Sequence, residues 1–208
     1  IRTYWRSARH DEPWIESALD VKDRNGNPMP GYGWIFPVGD GTVNLGVGLL
    51  STFRDFKSVN TTHLLDAYAH QIAERWEIDA DHPECRPTSG RVPMGGSVGP
   101  SSGPTYLVVG DAAGRVNPFN GEGIDYALEA ARVGAELVAQ AMARPSDAER
   151  ERVLAAYPKV MKDELGGYFT LGRWFAHAIG NPEVMRLATK YGLPRTKLMP
   201  FLLKIMAN

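Results

Sequence analysis

The residues with the clearest chemical meaning in this 208-residue sequence are Asp111 and the glycines that flank and follow it. Residues 106–109 form a short apolar, β-branched run, the composition of a strand buried on both faces, and Gly110-Asp111 ends it. A carboxylate just past the carboxyl end of such a strand lies where open α/β sheets bind ligands, and it accepts hydrogen bonds from a chain of sugar-like hydroxyls. Asn120-Gly121-Glu122-Gly123 then opens a predicted helix whose apolar positions Ile124, Ala127, Leu128, Ala131, Ala135, Leu137 and Val138 recur at helical spacing. Glycines there let a ligand approach the backbone, while the unpaired amides and the positive end of the helix dipole favour partial negative charge. Taken singly, the same residues would suit a capped turn and a tight loop. Together they form an anion- and ribose-binding layout.

A second cluster is aromatic. Tyr32, Trp34 and Phe36 alternate within Pro30-Gly31-Tyr32-Gly33-Trp34-Ile35-Phe36-Pro37, so a strand there puts three rings on one face. Asp40-Gly41 is a hairpin signal, and Thr42-Val43-Asn44-Leu45-Gly46-Val47-Gly48 reads as the returning strand. Periodicity alone fits a sheet face packed on the core as well as it fits a pocket wall.

These two segments carry a resemblance. Gly-Asp-Ala-Ala, the later Pro and the Gly-x-Gly before a long helix are similar to the second flavin-binding signature of FAD-dependent oxidoreductases of the aromatic-hydroxylase-like type. Tyr-x-Trp-x-Phe-Pro, with its Gly-Asp-Gly turn and Val-Gly-x-Gly strand, resembles the geranylgeranyl reductase family. The likeness extends over nearly all of the chain and is weakest at its carboxyl end. It implies FAD as cofactor, with Gly110 and Asp111 at the ribityl chain and Pro118 shaping the loop beside the isoalloxazine. Gly121, Glu122, Gly123 and Ile124 would direct backbone amides at the flavin's pyrimidine carbonyl. Tyr32, Trp34 and Phe36 would line a pocket for a long isoprenoid chain.

The implied activity is a flavin-dependent reductase saturating carbon–carbon double bonds of a polyprenyl chain, of geranylgeranyl or menaquinone type. Its catalytic residues are unassigned, and NAD(P)H and ferredoxin are both open as electron donors. An FAD-dependent aromatic monooxygenase would share Asp111 and the Gly-x-Gly helix without requiring the aromatic strand. A non-catalytic fragment binding prenyl lipid would require only that strand. A complete flavoprotein of this type begins with a βαβ unit carrying Gly-x-Gly-x-x-Gly, a pattern this sequence lacks. The expectation is therefore the carboxyl-terminal part of a larger protein, inactive and without retained FAD on its own.

The elements that must position these residues predict an α+β fold. Residues 1–100 read as an antiparallel substrate-binding sheet domain, 101–145 as the last part of an FAD-binding α/β domain, and 146–208 as a helical region. Asn25-Gly26-Asn27-Pro28 marks a turn. The spacing predicts a helix over Thr61–Trp76 with Leu64, Leu65, Tyr68, Ile72 and Trp76 on one face and Ser58 or Asn60 as cap. Residues 83–94 return toward the sheet. Arg91-Val92-Pro93-Met94-Gly95-Gly96 stands where the family commonly has a strand leading to the flavin, with Arg91 expected to pair with an acid rather than a flavin phosphate. Ser146 is a cap for a helix over 147–166. Beyond it, Trp174, Phe175, Ile179, Val184, Met185 and Leu187 lead to a greasy end from Leu198 to Met206, with Lys190, Arg195, Lys197 and Lys204 interspersed. Such a tail fits a packed bundle or peripheral contact with an anionic membrane.

Composition narrows the partners. Hydrophobic residues make up 43% and charged residues 23%, ordinary for a globular chain. The 23 basic and 24 acidic residues nearly cancel, which argues against a nucleic-acid surface. A single cysteine, Cys85, excludes an intrachain disulfide and fits a reducing cytoplasm, so the expected location is cytoplasmic, peripheral at the inner face of the membrane. His10, His63, His70, His82 and His177 show neither metal spacing nor a nucleophile motif, and no metal is expected.

Overall fold

The computed structural model describes residues 1–51, 55–118 and 121–179, together with Asn181, Val184, Leu187 and Tyr191. The chain forms two compact units, Ile1–Gly90 with Ile179–Asn208, and Arg91–Ala178. Its architecture is α+β, with an antiparallel sheet and helices.

In the first unit a hairpin forms because its turn chemistry is right. Strands β3 (Gly31–Pro37) and β4 (Thr42–Leu49) are joined where Gly39 and Gly41 take φ of +88° and +94°, and the Asp40 carboxylate accepts from Thr42 N at 3.0 Å and Thr42 Oγ1 at 2.6 Å. Strand β1 (Arg2–Arg6) pairs with β4 and strand β2 (Glu16–Ala18) with β3, giving the order β1-β4-β3-β2, all antiparallel. Between β2 and β3 the Asp23 carboxylate closes the Gly26 turn by accepting from the backbone amides of Asn25 and Asn27.

Strand alternation sorts this sheet into two faces. Trp5, Ile35, Val43, Leu45 and Val47 are buried on one, packed with Leu64, Leu65, Tyr68, Ile72 and Trp76 of helix α1 (Thr61–Trp76). Asn60 caps α1, accepting from the amides of Thr62 and His63. Ser58, the other candidate cap, instead lies in a 3₁₀ turn and donates to Asp55 O. Gly33 is what lets α1 reach the sheet, since a Cβ there would stand 2.3 Å from Tyr68 Cζ. The return of residues 83–94 to the sheet runs along β1, where Arg2 and Thr88 exchange backbone hydrogen bonds of 2.9 Å each. Cys85 is an exposed free thiol on this return.

The second unit is helical around a small hairpin. Strands β5 (Ser102–Gly103) and β6 (Tyr106–Leu107) pair, and a 3₁₀ turn follows over Gly110–Ala113. Helices α2 (Ile124–Met142), α3 (Asp147–Leu154) and α4 (Tyr157–Ile179) come next. Ala130 and Val133 of α2 pack against Tyr157, Met161, Leu165 and Phe169 of α4.

Four expectations are corrected here. The run 106–109 is not a strand buried on both faces: β6 holds two residues, its one partner among the described residues is β5, and Tyr106 and Val109 are exposed. The helix expected over 147–166 is two helices. Ser146 does cap α3, in a capping box with Glu149, but Pro158 has no N–H to offer Leu154 O, so α3 ends and a new helix begins around it. On α2 the buried side is Ala130, Val133, Gly134 and Ala141, while Ile124 and Leu128 are 77% and 66% exposed. Residues 91–96 form no strand, because Gly95 and Gly96 take φ of +67° and +72°, outside the β region. The greasy stretch from Leu198 to Met206 lies outside the described residues. Among those described, no helix is long and apolar enough to cross a membrane.

The close approach of α1 to β3 makes a direct prediction. Gly33→Ala should overpack the buried Tyr68 ring and lower stability by about 1–3 kcal/mol. Thermal denaturation checks it, and a melting temperature equal to wild type would contradict the contact.

Candidate functional site

Two surfaces, one in each unit, bring together the residues singled out above. In the second unit, Val109 leads into the 3₁₀ turn, where Gly110 at φ +60° and Gly114 at φ +66° permit a bend that other residues would strain. Gly110 also lies against α2, since a Cβ on it would meet Ala127 Cβ at 3.1 Å. The loop that follows is tied by its own backbone. Gly95 N donates to Val116 O and Gly96 N to Gly114 O, both at 2.8 Å, while Asn117 N donates to Glu122 O at 2.8 Å and Gly121 N to Asn117 O at 2.9 Å.

This framework borders an open cleft of about 460 Å³ lined by Val92, Asp111, Val116, Gly121, Gly123, Ile124, Ala127 and Leu128. Asp111 supplies its carboxylate. Gly123 is the N-cap of α2, with no side-chain cap bond, so the first-turn amides of a 19-residue helix open there without a competing side-chain acceptor at the cap. Gly123 also keeps the carboxylate accessible: a Cβ on it would stand 2.9 Å from Asp111 Oδ1 and 3.1 Å from Val116 Cγ2.

Asp111, Gly121, Gly123 and Ile124 thus share one cavity wall. Gly110 acts behind the wall as the bend, Glu122 is exposed, and Pro118 is buried beneath Gly95, where a Cβ would lie 3.0 Å from Pro118 Cγ. Asn120 lies outside the described residues. Val92, Val116, Ala127 and Leu128 complete the lining and were not singled out from sequence as a lining set. For Val92 the signal was its place beside the Gly95-Gly96 bend, and for Ala127 and Leu128 it was the first turn of α2. Arg91 is exposed with no acidic partner among the described residues, against the expected ion pair.

The first unit carries the aromatic surface. Tyr32, Trp34 and Phe36 stand on the sheet face opposite α1, outside the buried cluster that α1 covers. Their ring centroids are 5.7 Å and 6.2 Å apart along the row. Register places Trp34 across from Gly46 and Tyr32 across from Gly48. Both glycines form a floor: a Cβ on Gly46 would stand 2.2 Å from Trp34 Cζ2, and one on Gly48 3.1 Å from Tyr32 Cε1. Trp34 Nε1 donates to Asn44 Oδ1 at 3.0 Å, which fixes the indole and satisfies its one polar atom. Burial pushes the Tyr32 phenol above its ordinary pKa, so it stays uncharged.

No histidine joins either surface. His70 meets Asp81, His82 meets Asp79, and His177 Nδ1 contacts Arg173 O. Among the described residues no group of His, Cys, Asp and Glu could hold a metal ion.

No protein-family profile matches the chain. It is 35% identical over all 208 residues to a menaquinone reductase of Mycolicibacterium smegmatis, covering 49% of that protein. To a menaquinone reductase of Mycobacterium tuberculosis it is 34% identical over 208 residues, covering 48%. To digeranylgeranylglycerophospholipid reductase 2 of Methanosphaera stadtmanae it is 33% identical over 159 residues, 74% of this chain and 37% of the relative. The chain therefore spans about half the length of the menaquinone reductases it matches. The fold is similar to that of a geranylgeranyl bacteriochlorophyll reductase-like protein from Thermoplasma acidophilum, with a TM-score of 0.67 at 18% identity over 90% of this chain and 44% of that one. The aromatic strand on its glycine floor, the Gly-Asp turn leading to a glycine-capped helix, and this run of relatives agree: the chain belongs to the geranylgeranyl reductase family.

Proposed function

We propose that the full-length protein is an FAD-dependent reductase that saturates carbon–carbon double bonds in the prenyl tail of a lipid, with a menaquinone-type quinone as substrate. The observation that carries this is the row Tyr32, Trp34 and Phe36, held over Gly46 and Gly48 on the sheet face that the core does not use. Three rings on a floor without side chains offer a large apolar area to a flexible hydrocarbon that has no polar handle. The relatives named menaquinone reductase, similar along the whole chain, support the quinone over a phospholipid.

The cavity of the second unit fits FAD by its donor set. Asp111 would accept hydrogen bonds from ribityl hydroxyls, and a Cβ at Gly123 would fill the space in front of that carboxylate. The amides of the first turn of α2, with no side-chain cap bond at Gly123 among the described residues, would favour the negative charge that a flavin's pyrimidine ring gains on reduction. When bound, FAD supplies the hydride chemistry. The protein's own residues bind and orient: Asp111 and the α2 amides hold the cofactor, while the aromatic row seats the alkene-bearing chain and excludes water. On this reading the protein works in the cytoplasm, peripheral at the inner face of the membrane that holds its lipid substrate.

Two measurements on the full-length protein test this. Asp111→Ala removes charge-assisted hydrogen bonds of about 1.5–3 kcal/mol and should lower flavin affinity by roughly one to two orders of magnitude. Flavin content equal to wild type would contradict the ribityl assignment. Trp34→Ala should cut turnover of long-tailed quinone severely while costing less than the roughly 3–5 kcal/mol of a Trp packed in a core. Paired melting curves and reduction assays decide it: a large melting shift with unchanged turnover per folded molecule would sink the pocket reading.

A further inference from the structure

The aromatic row is the middle of a wider face whose two sides differ in chemistry. Across β4, strand β1 contributes Arg2 and Tyr4 to the same face, with Arg2 in register with Gly46 and Tyr4 with Asn44. Arg2 Nη1 donates to Tyr4 Oη at 3.0 Å, and its guanidinium lies 5.4 Å from the Tyr4 ring centroid. Arg2 has no acidic partner among the described residues, whereas Arg6 on the same strand is paired with Glu84.

On the other side, β2 pairs Ser17 with Trp34. Glu16, one residue earlier, points to the core side, where it meets Arg75 and accepts from Trp76 Nε1. Alternation therefore puts Ile15 and Leu19, which flank β2, on the face of Ser17 and Trp34. They are 65% and 62% exposed. No strand residue on this face is acidic. Over three strand spacings of about 4.8 Å, roughly 14 Å in all, the face passes from a cation to aromatic rings to bare aliphatic side chains.

From this gradient we infer that the sheet orients its lipid. The quinone head lies toward β1, with a carbonyl oxygen accepting from Arg2, and the prenyl tail crosses the aromatic row and leaves over Ile15 and Leu19 at the β2 edge. The inference rests on the reading of the protein as a prenyl-quinone reductase and adds a direction and three contact residues to it. The physical reason is complementarity: a guanidinium prefers the oxygen-bearing end of the molecule, and exposed aliphatic side chains at an edge gain only by covering hydrocarbon.

The test uses the full-length protein with two quinones that share a head, one with a long prenyl tail and one cut to one or two prenyl units. Ile15→Ser and Leu19→Ser should each raise the ratio of long-tail KM to short-tail KM about tenfold, because only the long tail reaches the edge. Arg2→Gln should raise both KM values about equally, by roughly three- to tenfold. Trp14→Ser, an exposed neighbour of opposite parity lying over Arg9, should leave the ratio at the wild-type value. A wild-type ratio in both edge variants overturns the orientation, as does an Arg2→Gln effect confined to the long tail. A lowered melting temperature with an unchanged ratio overturns it too, since polypeptide would then cover the edge. Should the wild type reduce neither quinone, the reductase reading itself fails.

Discussion

Close approach on both faces of one hairpin is the constraint on which the first unit depends. Gly33 on β3 admits the Tyr68 ring from the helix side, and Gly46 and Gly48 on β4 admit Trp34 and Tyr32 from the other. Side chains at these positions would push α1 off the sheet or lift the rings off their floor. With the glycines in place, the sheet presents a packed core to one side and a preformed aromatic wall to the other. The indole is locked by Asn44 before any ligand arrives, so less side-chain entropy remains to be lost on binding.

The second unit uses backbone rather than side chains for its site. Gly110 and Gly114 bend the chain at Asp111, and Gly123 leaves the head of α2 open. The cleft's lining is mostly apolar, with the Asp111 carboxylate and the first residues of α2 on it.

Much of this was legible locally. The bounds of α1 and its Asn60 cap follow from helical spacing and cap chemistry, and the β3–β4 hairpin from Asp40-Gly41. Most of what failed needed distant partners. A period of two says that Tyr32, Trp34 and Phe36 share a face but not which face α1 covers; Tyr68 over Gly33 decides that. The run 106–109 has the composition of a buried strand, yet burial depends on neighbours that its composition does not specify. Helix α2 keeps Asp125, Glu129, Arg132, Glu136 and Gln140 on one polar stripe, but the apolar remainder is wide enough that its sequence did not say which part of it meets α4. The break between α3 and α4 was visible in Pro158, whose missing N–H outweighs the helical propensity around it.

On the proposed function, the outer face of the β3–β4 sheet receives the prenyl chain. A polyprenyl quinone bearing a photoreactive diazirine on its tail, cross-linked to the full-length protein and mapped by mass spectrometry, tests it most directly. Label is expected on Tyr32, Trp34 and Phe36 and on peptides containing Ile15 and Leu19, competed away by unlabelled quinone. Label confined to residues that pack the core with α1, or absent from residues 15–36 altogether, would contradict it.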